Sequence, residues 1–145
     1  MNFMDSIRIS SSGLSAQRIR MNLIASNLAN INTTRTPEGG PFKRKDAIFA
    51  SRPLQNRFNQ ILNSEIDKKQ NEVKVIGIAD DPNPPQLKYD PQHPDADSKG
   101  YVAMPNINLI EEMVNMISAT RSYEANVTAV NATKNMVLKA LEIGR

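Results

Sequence analysis

The sequence predicts an α+β fold, mainly α: long N- and C-terminal helices paired as a coiled-coil-like hairpin, with a small β-rich insert between them. Three observations predict it. Residues 108–143 contain no Gly and no Pro and carry an apolar heptad. Residues 2–31 repeat the same period. Between the two, the chain becomes Pro- and Gly-rich, with short β-branched runs.

The C-terminal stretch reads as a helix from Asn108 to Ile143. Asn108, just after Pro105, is the predicted N-cap, with Glu111 three residues on to form a capping-box-like pair and Glu112 beside it. Lys139 falls in the last turn and Gly144 stands where a C′ glycine belongs. At roughly 1.5 Å per residue such a helix is about 54 Å long. Met116, Tyr123, Val130 and Val137 recur every seven residues, and Met113, Thr120, Val127, Lys134 and Leu141 form a second, weaker track. Ala119, Ala125, Ala129, Ala132 and Ala140 would let neighbouring helices approach closely on other faces. A helix this long cannot cover its own seam, so it needs a partner, and the simplest one is inside the same chain.

The N-terminal stretch supplies that partner. Ile7, Leu14, Met21 and Leu28 are spaced by seven, with Phe3, Ile24 and Ile31 on the companion track beside Ser10 and Gln17. Ser10-Ser11-Ser12-Gly13 weakens the pattern and predicts a kink or a late start. Arg8, Arg18 and Arg20 lie off the seam as solvated or partner-facing charges. Both seams need cover, so the termini are expected to pack poorly in an isolated chain.

Residues 32–45 (NTTRTPEGGPFKRK) have no periodicity and read as a loop. Ala47 to Ser51 is one predicted strand, and Val73 to Ala79 is a second, alternating and β-branched. Residues 54–72 are ambiguous, since Phe58, Ile61, Leu62 and Ile66 have helical spacing in an Asn/Gln-rich context. Residues 80–100 hold five prolines and allow at most one short strand, around Leu87 to Tyr89. The domain reading is a discontinuous helical unit, residues 1–31 and 107–145, around a loop and small β-rich unit, residues 32–106.

Composition narrows the function. The chain of 145 residues is 39% hydrophobic but only 5% aromatic, with no Trp, which suits an elongated helical protein better than a compact core. With no Cys, neither a disulfide framework nor a thiolate metal site can form. No run approaches the roughly 18 apolar residues of a membrane span. No basic n-region followed by an apolar h-region opens the chain, so a cleaved secretory signal is not expected.

The net charge of +3 is uneven: residues 1–79 hold twelve Lys/Arg against six acids. Lys43-Arg44-Lys45 with Arg35, Arg52 and Arg57 invites nucleic acid, yet no recognition motif accompanies them, and a solvated basic loop is the reading adopted. His93 is the sole histidine and sits in Pro-rich sequence, which leaves no material for a nucleophile–base pair. An EF-hand beginning at Asp95 would place Gly100 correctly, but Lys99 and Asn106 occupy ligand positions. Solvated turns with Asp caps fit that loop better. No catalytic, cofactor-binding or metal site is predicted, and an enzyme is not expected.

The run Ala25-Ser26-Asn27-Leu28-Ala29-Asn30, followed by Asn32-Thr33, resembles the N-terminal signature of bacterial flagellar rod and hook proteins. Tyr89-Asp90-Pro91, His93-Pro94-Asp95-Ala96-Asp97, Gly100-Tyr101-Val102, Pro105-Asn106, Glu112-Met113 and Arg121-Ser122-Tyr123-Glu124-Ala125-Asn126 are similar to the proximal-rod branch of that family. Thr36 to Phe42 departs from the shorter turn of many relatives.

The resemblance implies a structural subunit of the flagellar drive shaft that transmits motor torque. It would be exported unfolded through the flagellar type III gate without signal cleavage, and assembled in the periplasm above the inner-membrane ring. Its implied partners are the other rod proteins, the rod–ring junction protein, the export gate and that ring, with no nucleic acid and no membrane span. The terminal helices would then form the axial core, and residues 32–106 an outer domain.

Phe3 and Ile7 resemble the export-gate recognition element of axial substrates, although a hydrophobic staple would look the same. Head-to-tail contacts that do not close build filaments, and two heptad-bearing ends supply them. A coiled-coil adaptor linked to flagellar export, which never polymerises, is the alternative.

Overall fold

The computed structural model describes residues 3–53 and 71–143. The helical spacing at Phe58, Ile61, Leu62 and Ile66, and the predicted C′ Gly144, lie outside the described residues. Six elements follow in order: α1 (Phe3–Ala29), β1 (Lys45–Pro53), β2 (Asn71–Asp80), β3 (Gln86–Tyr89), β4 (Tyr101–Met104) and α2 (Leu109–Ile143).

α1 and α2 form the expected antiparallel hairpin. Asn27 meets Glu112 at one end, Met21 meets Thr120 further along, and Gly13 lies against Asn126 beyond that. The serine-rich stretch causes neither a break nor a late start, since α1 is continuous from Phe3 to Ala29. Ser12 donates its hydroxyl to the Ile9 carbonyl (2.7 Å), so the helix absorbs it. At Gly13 the side chain of Asn126 on α2 comes close: a Cβ there would sit 3.1 Å from Asn126 Oδ1 and 3.2 Å from Nδ2. The missing side chain is a packing device rather than a break.

Caps explain where the helices stop and start. Asn108 Oδ1 accepts the Ile110 N–H (3.0 Å), the N-cap bond expected of it. At the other junction the Asn30 side chain donates to the Ser26 carbonyl (2.9 Å) and accepts from the Thr33 hydroxyl (3.2 Å), closing α1 into a turn.

β1 and β2 pair antiparallel from Lys45 opposite Asp80 to Pro53 opposite Asn71. A bulge interrupts the ladder where Ile48 faces Gly77 and Phe49 faces Val75, leaving Ile76 as the extra residue. This ladder packs along α1, and Ser12 Oγ accepts the Val73 N–H (3.1 Å).

β3 and β4 make a second, short ladder, with Tyr89 and Tyr101 opposite each other. Their rings meet edge to face at 5.3 Å. β4 was not expected from the sequence; Tyr101–Met104 is a short apolar run that becomes a strand only because β3 lies beside it.

Between these strands, Asp97 Oδ1 accepts the N–H groups of Lys99 and Tyr101 (both 2.8 Å). Gly100 takes φ +82, and a Cβ there would lie 3.0 Å from the Tyr89 ring. The carboxylate that an EF-hand reading would give to a cation therefore folds the turn.

The apolar core is thin. Among the described residues, the buried hydrophobic side chains are Ala16, Ile24, Val102, Ile107 and Ala119. No described helix is long and apolar enough to cross a membrane.

Candidate functional site

Two features of the surface and core bear on function: the seam between the helices, and a buried polar cluster where three elements meet.

The α1 side of the seam follows the heptad. Ile24 is buried, and Phe3, Ile7, Leu14, Met21, Leu28 and Ile31 are half-buried. On α2, Met116, Tyr123, Val130 and Val137 are half-buried, whereas Met113, Val127 and Leu141 are exposed. The second track facing α1 runs instead through Glu112, Ala119, Asn126 and Thr133, all at heptad spacing.

An apolar search could not find that track, because it is made of small and polar residues. The reason is distance: with Gly13 and Ala16 opposite, the helices are too close for a row of Met or Leu. Of the alanines expected to admit neighbours, Ala119 is buried in this seam, while Ala125, Ala129, Ala132 and Ala140 are exposed.

The exposed face of α2 is unusual in chemistry. Ile110, Met113, Val114 and Ile117 are each more than half exposed, at helical spacing. From Met113 to Thr133 the only charges are Arg121 and Glu124. The hydroxyls of Thr120, Ser122 and Thr128 donate to carbonyls one turn back (all 2.9 Å). These hydroxyls can be covered without being stranded.

The cluster centres on Asn27, from the Ser26-Asn27-Leu28-Ala29-Asn30 signature, and on Glu112. They are the two buried polar residues among those described, 1% and 0% exposed. The Asn27 carboxamide grips the first residue of β1 at both backbone groups. Its Oδ1 accepts the Lys45 N–H (2.9 Å) and its Nδ2 donates to the Lys45 carbonyl (2.9 Å), much as a neighbouring strand would.

Nδ2 also donates to Glu112 Oε2 (3.1 Å), and Arg44 Nε donates to Glu112 Oε1 (2.8 Å). Arg44 is further held by Asp46 (3.4 Å) and by its own carbonyl, which accepts the Asp81 N–H (2.8 Å). Burial works against the Arg44 charge, but the hydrogen bond and charge of Glu112, with Asp46 adding, outweigh it and raise the guanidinium above its ordinary pKa. Glu112 also stands in the first turn of α2, where the helix dipole favours a carboxylate.

Arg44 is thus no solvated loop charge, and Glu112 is more than a cap neighbour. Sequence reading missed their pairing because they lie 68 residues apart. The available signal was an acid on the seam side of a helix, one heptad before Ala119.

Of the signature residues, Asn27 and Asn30 make specific bonds, Ser26 lends its carbonyl, Leu28 is half-buried and Ala29 is exposed. The structure therefore brings the N-terminal signature against the Glu112 of the C-terminal one.

Residues 7–35 match the family described as Flagella basal body rod protein, and residues 98–143 the one described as Flagellar basal body rod FlgEFG protein C-terminal. The flagellar basal-body rod protein FlgC of Borreliella burgdorferi is 47% identical over 150 residues, covering 99% of this chain and 98% of the relative. FlgC of Bacillus subtilis is 48% identical over 147 residues, 97% of each chain, and that of Salmonella typhimurium 38% over 137 residues, 94% of each. With both signatures in contact, and relatives this similar along nearly their whole length, the chain belongs to the flagellar basal-body rod protein family.

Proposed function

We propose that this protein is a structural subunit of the proximal rod of the bacterial flagellar basal body, part of the shaft that transmits motor torque. It is exported by the flagellar type III system without signal cleavage and joins the periplasmic rod by helix–helix packing. The observation that carries the reading is the exposed face of α2. An exposed apolar stripe, from Ile110 to Ile117, leading into a nearly uncharged stretch is a surface prepared for burial against other subunits.

On this reading Met113, Val127 and Leu141 face neighbouring subunits, while Met116, Tyr123, Val130 and Val137 hold α1. Residues 1–31 and 107–145 form the axial core, and 32–106 an outer domain. Neighbours are other rod proteins, the rod–ring junction protein and the inner-membrane ring. Phe3 and Ile7 are proposed to meet the export gate.

The test is deletion of the gene in the source bacterium, read by electron microscopy of basal bodies and by swarming. Basal bodies that keep the inner-membrane ring but lack the rod and everything beyond it are expected. Intact filaments would refute the reading and favour a non-polymerising adaptor, which should form a closed dimer in sedimentation.

A further inference from the structure

The apolar contacts of the seam account for the helical hairpin, but not for why its two buried polar side chains lie together at the base of the β1–β2 ladder. A buried carboxylate and its partner are costly to desolvate, and an apolar pair of similar volume often holds a fold equally well. Hydrogen bonds add direction, since they tolerate little change in distance or angle, whereas apolar surfaces slide and repack. Here direction is supplied twice. Asn27 holds both backbone groups of Lys45, and Arg44, anchored by its carbonyl to Asp81 on the far side of the ladder base, reaches Glu112 in the first turn of α2.

We infer that Asn27, Arg44 and Glu112 form a positioning joint that fixes the angle at which the β1–β2 ladder lies against the helical hairpin. The inference rests on the rod-subunit reading for its purpose: a subunit that packs head to tail must present its faces at one fixed relation. Glu112 stands between Ile110 and Met113 of the exposed α2 stripe, so the joint ties that stripe directly to the ladder. The ladder carries exposed apolar side chains of its own, Ile48, Phe49, Ile76 and Ile78.

Leverage makes the angle matter. β1 has 9 residues, about 30 Å at roughly 3.3 Å each, so a swing of about 10° at its base moves the tip by about 5 Å, one strand spacing. Among the described residues, the ladder's other side-chain bond to α1, Val73 N–H to Ser12 Oγ, is solvent-exposed, and water can replace it.

The test uses the full chain, which has no native cysteine. Spin labels are placed at Lys74→Cys on β2 and Glu124→Cys on α2, both exposed positions. Their distance distribution is measured in the parent and in Arg44→Met/Glu112→Leu, which removes both charges of the pair together. The expected result is a melting midpoint close to the parent's, a distribution at least twofold broader, and at least tenfold weaker swarming on complementing the deletion strain.

An unchanged, narrow distribution overturns the inference. So does a double variant that no longer folds, because the pair would then hold the fold rather than the angle. The distance measurement reads the joint whatever the chain's role. Failure of the parent gene itself to restore swarming would count against the rod reading alone.

Discussion

Asn27 offers the sharpest test of the cluster, because two substitutions of it should rank in an order that shape alone would not predict. Asn27→Ala removes one bond to an ionised partner, worth about 1.5–3 kcal/mol, and two neutral bonds to Lys45. Lys45 is exposed, so water can replace the latter and they count for little. Alanine also gains about 0.5 kcal/mol in helix propensity. The net loss is about 2 kcal/mol, or roughly 6 °C in melting midpoint for a chain of this size.

Asn27→Asp keeps the shape but places a second carboxylate about 3 Å from Glu112 and loses both donated bonds. Like charges that close repel by about 5 kcal/mol at an effective dielectric near 20, so one of the two must take a proton. Aspartate should therefore be worse than alanine at pH 7. Folding of that variant takes up a proton, so its deficit should shrink on acidification towards pH 5. Thermal melts followed by circular dichroism at pH 7 and pH 5 decide it. An aspartate variant as stable as alanine at pH 7, with no pH dependence, would refute the geometry assigned to Asn27.

Further outcomes follow from the same contacts. Arg44→Ala leaves Glu112 buried without its cation and should cost about 3 kcal/mol, a loss that 0.5 M salt does not abolish in urea titrations, because the pair is largely buried. Since the guanidinium pKa is raised on folding, the pair's contribution is fully present below the ordinary arginine value and is lost only as pH climbs past the folded one. Gly13→Leu should destabilise by about 2–3 kcal/mol, with partial relief in an Asn126→Ala background; an unchanged melt would disprove the close approach of the helices. Gly100→Ala, forced into φ +82 against the Tyr89 ring, should cost about 2–3 kcal/mol and disturb the near-ultraviolet signal of the Tyr89–Tyr101 pair. Val127→Asp with Leu141→Asp, both on the exposed face of α2, should abolish assembly and motility yet leave secretion largely intact; normal swimming by that strain would sink the assignment of this face.

Much of the architecture was readable because it is periodic. α2 begins within a residue of expectation, set by Asn108, and runs helical through the Gly- and Pro-free stretch to Ile143, the last described residue. α1 stops near the Asn30 turn, and β1, β2 and β3 stand where alternation and proline spacing put them. The signature around Asn27 was also recognisable as a pattern, though its physical work was not.

What the linear chain determined by itself is local: helix period, caps, strand alternation, the Pro- and Gly-rich loops, and the absence of thiols. These depend on near neighbours, which sequence displays. Tertiary structure alone decided which side chains face each other. It turned Gly13 from a helix weakness into a crossing point and made a seam track of Glu112, Ala119, Asn126 and Thr133. It also paired Arg44 with Glu112 across 68 residues. The reason is that burial of a polar group becomes favourable only once its partners arrive from elsewhere in the chain, and nothing in the residue's own neighbourhood announces them.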